Sequence, residues 1–406
     1  MQAFNPTAPA RDALEAGLVF EDLHQSLYRN LAARADLEPG SQQLLVGGVG
    51  SGKTTELLLA EQWLRKQGNG LTFFYDISQE TDLSSLNSGA LLARFGIGLD
   101  WIVLNLGSLS RADSQAEKLG EFSREIMEFA FGKRVRRDLT SIDDRPKSIY
   151  ELARDEVESH FLTENVPGKL NPPLPPLNRD IQEVRAPLEE FLAIARKAHR
   201  DVVVVFDGLD RLLDATKFWS VVHQDLRLLR EMKVSVLATA PLSVLFGAGV
   251  GQSISDHFDR VHHLSVIASD PENASLRSVL DKRRGSELLT MQEADAICHF
   301  SGGVLRDLIS LARDAAEEAY VSDHDSITAA DVEKVVHQLG TGYLRGLGPE
   351  ATKTLLKLQS SKSFKVDVPA NVELLLTRRV LEYSSTDFRV HPALLSVIPR
   401  TEQKRV

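Results

Sequence analysis

The chain has 406 residues, of which 43% are hydrophobic and 26% charged, with a formal net charge of −10 at pH 7. The acidic total argues against a protein that coats nucleic acid with most of its surface, and the single cysteine, Cys298, excludes an intramolecular disulfide. No apolar run reaches the roughly 18 residues that a membrane span needs, and the N-terminal stretch lacks the basic and apolar regions of a signal peptide, so a soluble cytoplasmic protein is expected, with no membrane partner.

In chain order, Leu14, Leu18, Leu23, Leu27 and Leu31 fall at helical spacing and predict one or two amphipathic helices before residue 40. Residues 42–46 form a short apolar run between Gly40 and Gly47, the pattern of a buried strand. A helix is predicted over Lys53–Gln67, closed by Gly68 and Gly70, and a second core strand over residues 71–77. From 79 to 200 the pattern is mainly helical, with apolar stretches at 91–106 and 122–131. A basic run at 133–137 reads as a solvated helix face, and a proline cluster at 167–176 as an exposed extended loop.

Residues 202–206, VVVVF, are the β-branched run of a strand covered on both faces. A helix over 218–230 and strands over 234–238 and 261–267 follow. Strands alternating with helices imply an open, mainly parallel sheet with helices on both sides. Beyond Pro271 the pattern is helical, at 274–283, 292–300, 305–319 and 329–338, with Ser326 or Thr328 as N-cap of the last. Gly340, Gly342, Gly346 and Gly348 read as a flexible junction. The remainder predicts helices at about 350–358 and 371–381 and β-like pieces at 388–390 and 395–398.

Residues 47–54, GGVGSGKT, meet the pattern G-x-x-x-x-G-K-[ST] through Gly47, Gly52, Lys53 and Thr54, between a predicted strand and a predicted helix. Gly47, Gly48, Val49, Gly50, Ser51 and Gly52 would turn backbone N–H groups inward around phosphate. The helix start, with Thr55, adds its dipole. Lys53 supplies a point charge to the β- and γ-phosphates, and the Thr54 hydroxyl reaches Mg²⁺. Asp207, at the end of the apolar strand 202–206, is placed for the second carboxylate of the same metal.

Asp207-Gly208-Leu209-Asp210 after a hydrophobic strand resembles the acidic motif of P-loop ATPases of the AAA+ and STAND (signal-transduction ATPase) groups. Most AAA+ members carry a water-activating glutamate where Gly208 stands. Arg211 stands where the STAND pattern ends in glutamate, and the run is also similar to the D-D-h-D-R of KAP ATPases. The resemblance implies that Asp210 orients or deprotonates the attacking water and that Thr239 is the sensor 1 residue. Residues 301–307, SGGVLRD, resemble the sensor 2 motif of origin-recognition ATPases, which implies that Arg306 reaches the nucleotide. Residues 388–395, FRVHPALL, are loosely similar to a histidine motif of STAND switches, which implies a contact of His391 with the β-phosphate of ADP.

The fold class implied is α/β, a P-loop NTPase with an AAA+-type five-stranded parallel sheet, a helical lid and a C-terminal winged-helix-like domain. The expected division is 1–40, an N-terminal helical segment; 41–270, the core, with an insertion at about 79–200; 271–340, the lid; and 341–406, the winged helix. ATP is implied by the resemblance, since no guanine-reading N/T-K-x-D motif stands in a suitable place. Arg260 and Arg211 are candidates for an arginine finger acting on a second copy. His257, His262 and His263 read as strand-edge residues. Lys353, Lys357, Lys362, Lys365, Arg378, Arg379 and Arg389 give the C-terminal part a positive balance that DNA contact would use. The expected function is a Mg·ATP-dependent conformational switch or oligomerising regulator with slow or partner-stimulated hydrolysis, working with its own copies or a protein partner. The alternatives are an ATP-driven DNA loader and a non-hydrolysing nucleotide-bound scaffold.

Overall fold

The structure is a computed structural model that describes residues 4–6, 9–68, 70–105, 114–131, 180–212, 214–246, 250–268, 274–283, 288–366 and 368–398. The basic run at 133–137 and the proline cluster at 167–176 lie outside the described residues.

Five parallel strands form the main sheet: β1 (Gln42–Gly47), β2 (Gly70–Asp76), β3 (Asp201–Asp207), β4 (Ser235–Ala240) and β5 (Arg260–Leu264), in the order β2-β3-β4-β1-β5. Every residue of β1, β3 and β4 is buried, as continuous apolar runs require of strands covered on both faces. The two-residue period sorts their side chains. Leu44, Val46, Val204, Phe206 and Val236 join one core with the helices Ala90–Asn105, Arg185–Ala198 and Ala215–Glu231. Leu45, Val203, Val205 and Leu237 join another with the helices Leu27–Leu37 and Lys53–Gln67. Asp225, wholly buried on the helix Ala215–Glu231, accepts the backbone N–H groups of Gly89 at 2.6 Å and Leu91 at 2.9 Å. It thereby satisfies the orphan donors at the start of Ala90–Asn105 from across the layer.

After β5 the chain is helical. Ala274–Asp281, Met291–Phe300, Leu305–Val321 and Ala329–Leu344 pack around a core that includes Leu280, Ile297, Leu308, Leu311, Val332 and Val335. Thr328 caps the last of these in a capping box with Asp331. The helices Pro349–Ser361 and Pro369–Leu376 then lead to the antiparallel pair β6 (Val380–Ser384) and β7 (Asp387–Val390).

Four boundaries differ from the sequence reading. β5 stops at Leu264 because Val266 turns away to donate its N–H to the Glu382 carbonyl on β6 at 3.0 Å. The expected junction at Gly340 and Gly342 is helix, running on to Leu344. A Cβ at Gly340 would strike the Ala393 carbonyl, so the glycine serves close packing instead. Residues 380–381 are strand because the preceding helix ends at Leu376 and Arg378 reverses the chain with φ +59°. Residues 395–398, expected as β-like, begin inside a helical turn, Pro392–Leu395, that His391 caps and Pro392 opens. Among the described residues no helix is long and apolar enough to cross a membrane.

Candidate nucleotide site

The loop after β1 leaves the sheet between β4 and β5. Gly50 and Gly52 take left-handed conformations, φ +84° and +100°. They also permit a close approach. A Cβ at Gly50 would lie 3.0 Å from Arg306 Cβ, and one at Gly52 would lie 3.1 Å from His24 Nε2 and from Leu305 Cδ1. The start of helix Leu305–Val321 is thus seated on the loop, where the Leu305 N–H donates to the Gly50 carbonyl at 3.0 Å. Lys53 is only 5% exposed and donates from Nζ to the carbonyls of Gly47 at 2.8 Å and Gly48 at 2.9 Å. The same Nζ stands 2.9 Å from Asp210 Oδ2.

β3 runs between β2 and β4, and its last residue, Asp207, pairs with Asp76 at the end of β2. Asp207 accepts the Gly208 N–H at 2.8 Å, and the Thr54 hydroxyl lies near enough to favour its charged form. Burial, then the charges of Asp210 and Asp76, push its carboxyl up to about 6 against the pull of those two donors. Thr239 is the last residue but one of β4 and is wholly buried. Its Oγ1 accepts the Leu209 N–H at 3.1 Å, so it holds the 3-10 turn Leu209–Arg211 that presents Asp210. Gly208 has φ +80°, and a Cβ there would lie 2.7 Å from Asp76 Oδ1 and 2.8 Å from Ser78 N. A glutamate cannot stand at this position without moving the end of β2.

These groups open on one cleft of about 1470 Å³. Its floor includes Val49, Gly50, Gly52, Lys53, Thr54, Thr55, Asp207 and Asp210. Arg306 and Arg211, both exposed, line it from helix Leu305–Val321 and from the turn after β3. Partial burial, then the charges of Arg378 and Arg211, lower the Arg306 pKa. Its apolar lining includes Val19, Phe20 and Leu23 from the N-terminal segment and Val279 and Ile309 from the helices after β5.

Three residues of this site escaped sequence reasoning. His24 stands with Nε2 2.9 Å from the Ser51 carbonyl, and burial lowers its pKa against the pull of that partner. Glu56 accepts the Tyr28 N–H at 2.8 Å and is pushed up to about 7 by burial, tying the phosphate-loop helix to helix Leu27–Leu37. Asp76 shows only in the register of β2 with β3. None belongs to a spaced motif, and each becomes visible only when separate segments meet.

His391 is not brought to the cleft. It is wholly buried, with Nδ1 accepting the Ala393 N–H at 3.2 Å and Nε2 standing 3.3 Å from Asp307 Oδ2. Arg378 donates to Asp307 Oδ1 at 2.7 Å and Tyr343 to Asp307 Oδ2 at 2.5 Å, completing a cluster between the lid and the C-terminal helices. Arg260 opens β5 beside Gln43, at the sheet edge opposite the loop of its own chain. His263 Nε2 is 3.4 Å from Glu382 Oε2, and His262 meets Gln43. Several of the C-terminal cations are engaged internally. Arg378 serves Asp307, Arg379 donates to the carbonyls of Tyr343 and Arg345, Arg389 pairs with Asp387, and Lys353 pairs with Glu350.

A phosphate loop after β1, an acidic strand β3, and one strand, β4, between them decide the architecture. This is the α/β P-loop NTPase fold. No protein-family model matches the chain, and no curated protein sequence does. Among solved structures the fold is similar to the Aeropyrum pernix ORC2 protein (ADPNP-ADP complexes), at 12% identity and TM-score 0.43, covering 96% of this chain and 93% of that one. It is similar also to the Aeropyrum pernix ORC1 protein in complex with DNA, at 14% identity and TM-score 0.42, covering 92% of this chain and 91% of that one. The Thermotoga maritima RuvB Holliday junction branch migration motor matches at 13% identity and TM-score 0.35, with 89% and 91% covered.

The residues present fit a Mg²⁺-nucleotide. Thr54 and Asp207 already meet, and one hydroxyl with one carboxylate suits Mg²⁺, which keeps waters and takes phosphate oxygens for its other positions. Among the described residues no group of three or more His, Cys, Asp or Glu forms a closed metal cage. The Ser51 hydroxyl is buried in the loop without a hydrogen-bond partner.

Proposed function

We propose that the chain binds Mg·ATP in this cleft and works as a slow ATPase switch between the loop and the lid. The observation that supports the reading most is the convergence of Lys53, Asp207, Asp210 and Arg306 on one cleft beside a Gly208 that excludes the usual glutamate. The loop N–H groups and Lys53 Nζ hold the phosphates, while Thr54 and Asp207 hold the metal. Bound Mg²⁺ would neutralise charge on the β- and γ-phosphate oxygens. Asp210 Oδ2 accepts the proton of the attacking water once Lys53 Nζ turns from it to phosphate. Thr239 keeps Asp210 in place through the Leu209 N–H. Arg306 faces the phosphates from the lid, so that nucleotide adds a charged contact to the seat the helix start already has on the loop. The apolar wall of Val19, Phe20, Leu23, Val279 and Ile309 receives the base.

Equilibrium binding of a fluorescent ATP analogue and phosphate release test this reading together. Lys53→Ala should weaken binding about 10²-fold, within the range for loss of a desolvated charge contact. Asp210→Asn should retain binding and lose about 10²-fold or more in turnover, the share of a positioned general base. Undiminished turnover in both variants would overturn the assignment.

A further inference from the structure

Arg211 and Arg306 differ from most cations around the cleft. Arg11 and Arg65 lie within 2.9 Å and 2.7 Å of the Glu61 carboxylate, and Arg313 is held by Asp314 at 2.6 Å. No ion pair of Arg211 or of Arg306 is found among the described residues, and both side chains are exposed on the cleft wall. They reach the cleft from different elements, Arg211 from the end of the turn Leu209–Arg211 and Arg306 from the first turn of helix Leu305–Val321. Arg211 lies near enough for its charge to lower the Arg306 pKa. The nearby carboxylate, Asp210, is already engaged by Lys53. Two like charges held over a phosphate loop are an unfavourable arrangement without an anion between them. The turn that aims Arg211 is set by Gly208 in its left-handed conformation and by Thr239, both part of the scaffold of the acidic strand.

We infer that Arg211 is the terminal-phosphate ligand of its own chain, forming with Arg306 a two-arginine clamp that distinguishes a nucleoside triphosphate from a diphosphate. The inference rests on the nucleotide-site reading above and deepens it. A guanidinium fork suits a terminal phosphoryl group, whose three oxygens accept paired N–H bonds. The chain then supplies both arginines itself, and the site needs no finger from a second copy. Arg211 also occupies the position next to Asp210, so an Arg211 drawn to the γ-phosphate fixes the carboxylate beside it.

The test measures ATP and ADP affinity in Mg²⁺ for the native chain, Arg211→Ala and Arg211→Lys. Loss of a charge-assisted bond should reduce the ATP-over-ADP preference about ten- to hundredfold in Arg211→Ala and leave ADP affinity unchanged. Arg211→Lys should fall between, since it keeps the charge and loses the fork. In a second arm, Arg211→Ala is mixed with Lys53→Ala and phosphate release is followed. A clamp built within one chain gives no recovery, because neither copy holds a complete site. Recovered turnover in the mixture would overturn the inference in favour of a finger between copies, as would an unchanged ATP-over-ADP ratio in Arg211→Ala. Failure of the nucleotide reading itself is separate: the native chain and Lys53→Ala would then bind both nucleotides equally poorly.

Discussion

Arg306 and Asp307 are neighbours in the first turn of one helix, yet they face opposite kinds of environment. Arg306 looks into a cleft with like charge around it and no ion pair among the described residues. Asp307 looks the other way and is buried beneath Arg378, Tyr343 and His391. Successive helical positions lie about 100° apart, so a single turn can present one residue to a ligand and hide the next in a junction. The contrast teaches where stability and function are separated in this molecule. The junction is compensated charge that holds parts together, and the cleft is uncompensated charge that favours an anion.

The sharpest break of that comparison is Asp307→Ala. It leaves the Arg378 charge and the Tyr343 hydroxyl without their partner and should cost about 3 kcal/mol, the lower end for a broken buried pair because Arg378 keeps some solvent. Urea denaturation followed by circular dichroism reads this. Acid titration should agree in sign. Burial would raise the Asp307 pKa, but the nearby His391 ring, the Arg378 charge and the Tyr343 bond outweigh it and hold the group below its ordinary value. Its stabilising contribution is therefore present above the unfolded pKa, about 4, and is lost as pH falls through the lower folded value. Asp307→Asn should flatten the stability curve over that acidic range.

Arg306→Ala should do the reverse of Asp307→Ala. Its stability should stay within about 0.5 kcal/mol of the native chain, as for other exposed substitutions, while ATP affinity falls. A large loss of stability here would dissolve the distinction between the two faces of the helix.

The smallest effect concerns Cys298, in the lid core. Burial raises its thiol to about 12, so it is neutral and shielded at ordinary pH. Thiol labelling of the folded chain should be slow and limited by opening of the lid. Asp307→Ala should speed it, and Arg306→Ala should leave it unchanged.

Local chemistry made some of this legible from residue order alone. The G-x-x-x-x-G-K-[ST] spacing, the all-apolar strands and an N-cap at Ser326 or Thr328 are set by backbone geometry over a few residues, and the structure keeps the first two and takes Thr328 as the cap. Gly208 was visible as a departure, but the reason no glutamate fits there is Asp76 and Ser78, which arrive from another strand. His391 shows the opposite case. Its local motif pointed to phosphate, while its neighbours in space turned it toward Asp307 and Tyr343. The run of Lys and Arg in the C-terminal part is similar, since a positive balance along the chain says nothing about carbonyls and carboxylates already taken up by folding.

The sequence by itself determined the phosphate-loop motif, the order of strands and helices, and the residue types proposed to meet a metal and phosphate, because each depends on periods of two or four residues or on a fixed short spacing. Only the tertiary structure decided which charges remain uncompensated. Pairing and burial are set by contacts between segments far apart in the chain, as with Lys53 and Asp210 or Asp307 and Arg378, and those contacts assign Arg211 to the cleft and His391 to the junction.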